Sequence, residues 1–368
     1  MSRSLIEILG DVEDPRRGNA IRHNLVEILA IALLASLCDC THYTEMELFG
    51  IEREEWLRGF LTLENGIPSH DTFGDVFAAI DPEQMRQCLM EWVASIRQKI
   101  QGEVVAIDGK TICASRSETE EQRAIHVVSA WASENGLVLG ELAVDEKSNE
   151  IVAIPKLLQM LELNGCIVTI DAMGTQKEIA ETIRSKGADY VLPVKDNHPN
   201  LREEIELYFT TEKETCDYAK TVEKSHGRYE KRECWLSEDI DWLENGEKWE
   251  GLSGIGMIQS NVQKNGSDST EVAVHYVLFS KSGMTAAELL AVKRKHWSIE
   301  NSLHWVLDVQ FDEDNMRMRV KNAAENMNIL RHLTLNLLKA ETSYKGSINL
   351  KRKKCVLSPN YLLKVFAS

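Results

Sequence analysis

The chain has 368 residues, 43% hydrophobic and 27% charged, the composition of an ordinary globular protein long enough for two or three domains. Its longest apolar stretch, "LVEILAIALLASLC" at 25–38, is too short to span a bilayer and carries Glu27; the first residues lack the core of a signal peptide, so a cytoplasmic protein is expected. The formal net charge of −16 repels phosphate polymers, so any nucleic-acid site has to be a local basic surface.

Residues 1–98 read as a helical domain. Periodic apolar stretches at 24–40, 44–61, 71–80 and 83–99 are separated by polar turns such as "GIPSHD". Ser69 or Asp71 suits the N-cap of the third stretch, and Pro82 opens the fourth at its first turn. Helix-turn-helix DNA binding and a plain packing or dimerisation module are equally compatible with this pattern. The close pair Cys38 and Cys40 reads as packing, and eight scattered cysteines without a C-x-x-C argue against a zinc ribbon or a disulfide framework.

After residue 100 the period changes to that of strands. "EVVAID" (103–108), "AIHVVSAWA" (124–132) and "LVLGELAVD" (137–145) are β-rich, the last two joined by a turn at Asn135-Gly136. A helix at 149–163, a strand at 166–172, a helix at 175–187 and a strand at 188–195 follow. The later strands are apolar enough for burial on both faces, which predicts a mixed α/β sheet covered by helices. A polar segment at about 196–284 reads as a β-rich insertion. Thr285 and Glu288 form a T-x-x-E capping box opening helical sequence through "HWSIENSLHWVLDV", a last helix covers 321–340, and "KRKK" heads a basic tail at 346–368.

The chemistry lies in three carboxylates. Asp108 and Asp171 each end an apolar β-branched run and are each followed by Gly within three positions, so each is expected where a strand gives way to a loop. Side by side at a sheet edge, two such charges stay ionised only beside a cation, and Mg²⁺ is the natural one for carboxylate oxygen. Glu300 shares a helical face with His296 and His304 and would supply a third ligand, while Ile299 and Leu303 form an adjacent stripe to pack on the sheet. Trp297 and Trp305 are read as core rather than as base-stacking platforms. Singly, a strand-end Asp is usually a turn residue and a helical Glu a solvated one; their joint placement carries the reading. Other chemistries fail: "DGKT" lacks the upstream Gly of a P-loop, no H-E-x-x-H is present, and there is no G-x-S-x-G elbow.

The motifs "AIDGKT", "AIHVVSAW", "DEKSNEI", "AIPKLL", "TIDAMG", "KSHGRYEKRE" and "HWSIENSLHWVLDVQFDED" resemble, in order and over nearly the whole chain, the H-repeat-associated insertion-sequence transposases of the DDE superfamily. The resemblance implies a ribonuclease H-like catalytic domain over 99–345, interrupted by the insertion, and an Asp108, Asp171 and Glu300 triad holding two Mg²⁺ or Mn²⁺ ions. It implies DNA as partner, at element ends and target, a homodimer on DNA, and strand cleavage followed by strand transfer near the nucleoid. Basic contacts to DNA would come from Lys110, Lys195, His226, Arg228, Arg232, Lys293, Arg294, His304 and Arg317. The Tyr, Arg and Lys that many relatives place around the catalytic Glu are absent here: Trp297, His296 and Leu307 fill those offsets. A simple nuclease of the same fold, and an inactive DNA-binding remnant, remain the alternatives.

Overall fold

A computed structural model describes residues 3–18, 21–112, 115, 124–144, 150–225, 227–264 and 270–368. The chain opens with helices α1 (Leu5–Leu9), α2 (Leu25–Leu37), α3 (Tyr43–Glu52), α4 (Glu54–Leu57), α5 (His70–Ala79) and α6 (Pro82–Ile96). Asn24 caps α2, Ser69 caps α5 through the Thr72 N–H, and Pro82 opens α6 as expected. Almost every side chain of α2 is buried, because the helix lies at the centre of this unit.

The sheet follows: β1 (Val104–Ile112), β2 (Ile125–Ala132), β3 (Leu137–Val144), α7 (Glu150–Met160), β4 (Ile167–Thr169), α8 (Lys177–Ser185) and β5 (Asp189–Val194). The order of three strands, helix, strand, helix, strand is the one read from the sequence, and Gly136 at φ +68° makes the β2–β3 turn. β1 to β3 are antiparallel neighbours, whereas β4 joins β1 and β5 joins β4 in parallel.

The segment after residue 195 adds α9 (Pro199–Thr211) and four antiparallel strands, β6 (Asp217–Ser225), β7 (Arg228–Ser237), β8 (Gly254–Lys264) and β9 (Thr270–Phe279). These do not fold aside. β9 pairs with β5, and among the described residues nine strands make one mixed sheet in the order β3-β2-β1-β4-β5-β9-β8-β7-β6.

Two helices then complete the site, α10 (Ala286–His296) and α11 (Trp305–Gln310), joined by one π-helical turn, Glu300–His304. Thr285 caps α10, but Glu288 pairs with Lys281 instead of closing the box. α10 covers one face of the sheet, over Val104, Ile167, Val191, Val277 and Phe279. Strand alternation places Asp108, two steps on from Val104, toward that face.

The last helices are α12 (Ala323–Ala340), α13 (Ile348–Leu357) and α14 (Pro359–Phe366). α12 is buried along nearly its whole length and packs against α2, α5 and α6, so the N-terminal helical unit is completed by the end of the chain. Asn336 of α12 satisfies the edge strand β3, exchanging 2.9 Å hydrogen bonds with the Val138 N–H and carbonyl. Residues 346–368, read as a basic tail, fold back as α13 and α14. Lys351 donates to the Leu338 carbonyl at 2.6 Å, and Arg352 lies 2.8 Å from Asp39 and donates to the Ser36 carbonyl at 3.1 Å.

Candidate active site

Asp108 stands in the middle of β1, not at its end. It reaches open space because its parallel neighbour β4 stops at Thr169, while β1 continues to Ile112 beside β2. Asp171 follows the end of β4 and caps a short 3₁₀ turn, its Oδ1 accepting the N–H groups of Met173 at 3.0 Å and Gly174 at 3.1 Å. A Cβ on Gly174 would fall 2.2 Å from the Ile170 side chain, so this tight turn admits glycine.

Glu300 arrives from the other side. The Thr169 hydroxyl and His296 Nδ1 are hydrogen-bonded at 2.9 Å, and Trp131 Nε1 donates to the Ser298 hydroxyl at 3.0 Å, so the end of α10 is tied to β4 and to β2. Ile299 and Leu303 are buried as read, fixing which way the next turn faces. The π turn then brings His304 Nδ1 to 3.4 Å from Glu300 Oε2 and 3.6 Å from Asp108 Oδ2. Single π turns inside helices occur often at functional sites, where the extra residue re-aims side chains.

The electrostatics of this corner call for a cation. Burial pushes the Asp108 carboxyl up to about 6, and the charges of Asp171, Glu300 and Glu150 push the same way, against one N–H from Gly109. His304 is held below its ordinary value, mainly by burial, and its buried Nε2 has no hydrogen-bond partner among the described residues. One ligand atom each from Asp108, Glu300 and His304 lies within 4.8 Å of the others. Two carboxylates and a neutral imidazole in that space fit a divalent ion. Asp171 lies outside that close group but within electrostatic reach of Asp108.

The family model "Transposase DDE domain" matches residues 99–337, and "DDE_Tnp_1-associated" matches residues 6–93. The chain belongs to the DDE transposase family. Its relatives place it in the H-repeat-associated branch. It is 39% identical to "Putative transposase YncI" of Escherichia coli O157:H7, over 100% of this chain and 95% of that protein. It is 35% identical to "H repeat-associated putative transposase YhhI" of E. coli K12, over 99% of this chain and 98% of that one. A solved chain from "Cryo-EM structure of piggyBac transposase synaptic complex with hairpin DNA" aligns at TM-score 0.44 and 12% identity, covering 98% of this chain and 77% of that one.

In this family member the basic residues singled out from sequence occupy different settings. Lys110 is ion-paired with Asp308 and with the fully buried Glu313. Burial disfavours its ammonium, but the two carboxylates outweigh that and hold its pKa above the ordinary value. The lysine thereby clamps α11, and with it the π turn, onto β1. Arg232 lies 2.7 Å from Glu230 and 3.7 Å from Glu223, and Arg294 pairs with Glu223 as well. Arg228 is exposed at the start of β7. Arg317 lines a cavity of about 410 Å³ with His42, Tyr43 and Met318. Lys195 is exposed just beyond β5, and Lys293 is half-buried on α10. His226 lies outside the described residues.

Trp297 and Trp305 correct the sequence reading. They are 57% and 52% exposed, on the outer side of the helix that carries Glu300.

Sequence reasoning also missed a buried pair beneath Asp108. His126 Nε2 of β2 lies 2.5 Å from Glu150 Oε1 at the start of α7, and His126 Nδ1 and the Thr111 hydroxyl are hydrogen-bonded at 2.9 Å. A Cβ on Gly109 would meet His126 at 2.4 Å and Glu150 at 2.5 Å. The glycine after Asp108 therefore makes room for this pair. The available signal was the glycine itself, inside a strand, where close approach of another group is the usual reason.

Proposed function

We propose that the chain is an insertion-sequence transposase that cuts DNA at the element's ends and joins the freed 3′-hydroxyl to target DNA. Asp108, Asp171 and Glu300 would hold two divalent ions, Mg²⁺ or Mn²⁺, with His304 as neighbour or further ligand. The observation that carries this reading is the convergence of Asp108, Glu300 and His304 from distant parts of the chain, with Asp171 at the adjacent strand end. The antiparallel β1–β3 followed by parallel β4 and β5 supports a ribonuclease H-like catalytic core.

Bound metal at this position supplies Lewis acidity toward phosphoryl oxygens and eases deprotonation of a water or 3′-hydroxyl nucleophile. The protein's own part is orientation. Asp108 is fixed on a central strand, Asp171 by its turn, and Glu300 by the clamp of Lys110 on Asp308 and Glu313 and by the His296 and Ser298 ties. Positioning of this kind, with compensated charge, accounts for most of the catalysis available to phosphoryl transfer. Transposition acts on two ends, so we expect a homodimer on DNA.

The test is cleavage of a labelled duplex carrying the DNA that flanks the coding sequence, in Mg²⁺ or Mn²⁺, beside Asp108→Ala, Asp171→Ala and Glu300→Ala. Metal-dependent cutting by the wild type, lost in all three variants at unchanged fold, is the expected result. A wild type that binds the duplex and never cuts it supports the inactive remnant instead.

A further inference from the structure

The face covered by α10 carries a second cluster, basic where the first is acidic. Val191 of β5 and Val277 and Phe279 of β9 pack under α10. Continuing each strand by its two-residue period brings Lys195 and His275 to the same face. The register pairs Val194 with Tyr276, so Lys195 and His275 fall opposite one another. α10 adds Lys293 and His296 from above, and His296 is tied to Thr169, two residues before Asp171. Burial first, and the charges of Lys293 and Lys195 after it, hold His275 and His296 below their ordinary value, and burial followed by the charge of Lys195 lowers Lys293 to about 8.

What distinguishes this cluster is its lack of counter-charge. The adjacent Arg294 and Lys295 of α10 are ion-paired with Glu223 and Glu134. Among the described residues, neither Lys195 nor Lys293 has a carboxylate partner, in a chain with 58 acidic side chains against 42 basic ones. The half-buried Lys293 ammonium, held beside the exposed Lys195 ammonium, is disfavoured in the free protein, and an anion between the two relieves the penalty.

We propose that Lys195, Lys293, His275 and His296 form a cradle for one backbone phosphate of the DNA strand that runs into the carboxylate site. This rests on the reading of that site as one that acts on DNA. The tie of His296 to Thr169 sets the cradle beside the strand end that precedes Asp171, so one phosphate would meet the cradle while a neighbour along the strand meets the carboxylates. The contact positions the strand and reads no base.

The test uses the full-length chain in EDTA, so that no strand is cut, and the binding of an arbitrary-sequence 30-base-pair duplex followed by fluorescence anisotropy across salt concentrations. One phosphate contact contributes about 0.9 to the slope of log K against log salt. The Lys195→Met/Lys293→Met variant is expected to lower that slope by about 1, to weaken binding, and to melt at the same or a higher temperature than the wild type without DNA. An unchanged slope, or a variant that melts lower because Lys293 had held a structural partner, overturns the cradle. Cleavage in Mg²⁺, measured on the same preparations, separates the two readings. A wild type that cuts, with an unchanged slope in the variant, removes the cradle alone; a lysine-dependent slope without cutting leaves the cradle and removes the transposase.

Discussion

Asp108 on β1 and Asp171, two residues beyond the end of the parallel strand β4, hold the same rank. The offset that pairs Val104 with Ile167, Val105 with Val168 and Ala106 with Thr169 is also the offset between the two aspartates. The ladder ends two residues before that rank, and the space it leaves is where Glu300 and His304 arrive. Much of the site follows from this one register: Asp171 leaves the end of β4 at the rank of Asp108 on β1, and Glu300 is brought in by a helix across the sheet.

Gly109→Ala tests how tightly the ground beneath Asp108 is packed. The new methyl would meet the buried His126 and Glu150 side chains at 2.4 and 2.5 Å, and neither has room to withdraw. Overpacking of this kind costs about 1–3 kcal/mol. We expect a lower melting temperature and cleavage reduced beyond what the stability loss explains, since the strand carrying Asp108 has to shift. Wild-type melting and cleavage in the variant would show that the pair is not in contact with the strand.

Lys110→Met tests the clamp on α11. Removing the ammonium leaves the fully buried Glu313 with Arg331, at 3.4 Å, as its one remaining ion-pair partner among the described residues. Breaking a buried pair costs about 3–5 kcal/mol, of which the remaining arginine recovers part. Urea denaturation should show the loss, while the salt slope for DNA binding stays at the wild-type value. A reduced slope at unchanged stability would mean that Lys110 faces DNA after all.

These two residues show what the sequence could and could not reveal. Asp108 and Asp171 were legible because each closes a β-branched apolar run, a local pattern. The partners of Lys110 lie 198 and 203 positions away, and no local pattern announces them. The segment after residue 195 was recognisably β-rich, but whether its strands pair with one another or extend the main sheet is decided by edge-to-edge hydrogen bonding with β5. "KRKK" was legible as charge, whereas the burial of Lys351 and Arg352 depends on carbonyls exposed at the ends of distant helices. Trp297 and Trp305 were misread because large apolar side chains at helical spacing usually mark a buried face, and here Ile299 and Leu303 already fill it.

The pH dependence of stability in the metal-free protein should report Asp108. Its carboxyl titrates near 3.8 when unfolded and at about 6 when folded, so the native state binds more protons between these values. The part of the stability contributed by Asp108, read as wild type against Asp108→Asn because Glu325 is raised to about 7 and titrates over an overlapping range, therefore falls as pH rises from about 4 to about 6, and the ionised form above that range is the one that would bind metal. The rise in melting temperature produced by Mg²⁺ should grow across the same window and be lost in Asp108→Asn. An equal Mg²⁺ effect at pH 4.5 and pH 8 would place the ion elsewhere.

Trp297 and Trp305 stand in solvent on either side of Glu300. Replacing either by Ala should change stability by no more than about 0.5 kcal/mol, as for other exposed positions. If unpaired bases beside the cut stack on them, each loss weakens single-strand binding by about 1–3 kcal/mol. Anisotropy with a single-stranded and a duplex probe decides this; equal, small effects on both would leave the two rings without a role in binding.

A transposase site joins strands as well as cutting them, and the sharpest assay of this acidic corner starts from a pre-cut end. A labelled duplex with an exposed 3′-hydroxyl at the element's terminus is incubated with the wild type, Mg²⁺ and plasmid DNA, beside Glu300→Ala. Label covalently transferred to the plasmid by the wild type and none by the variant is the expected result. Degradation of the DNA without transfer, or stable binding with no new phosphodiester bond, would contradict it.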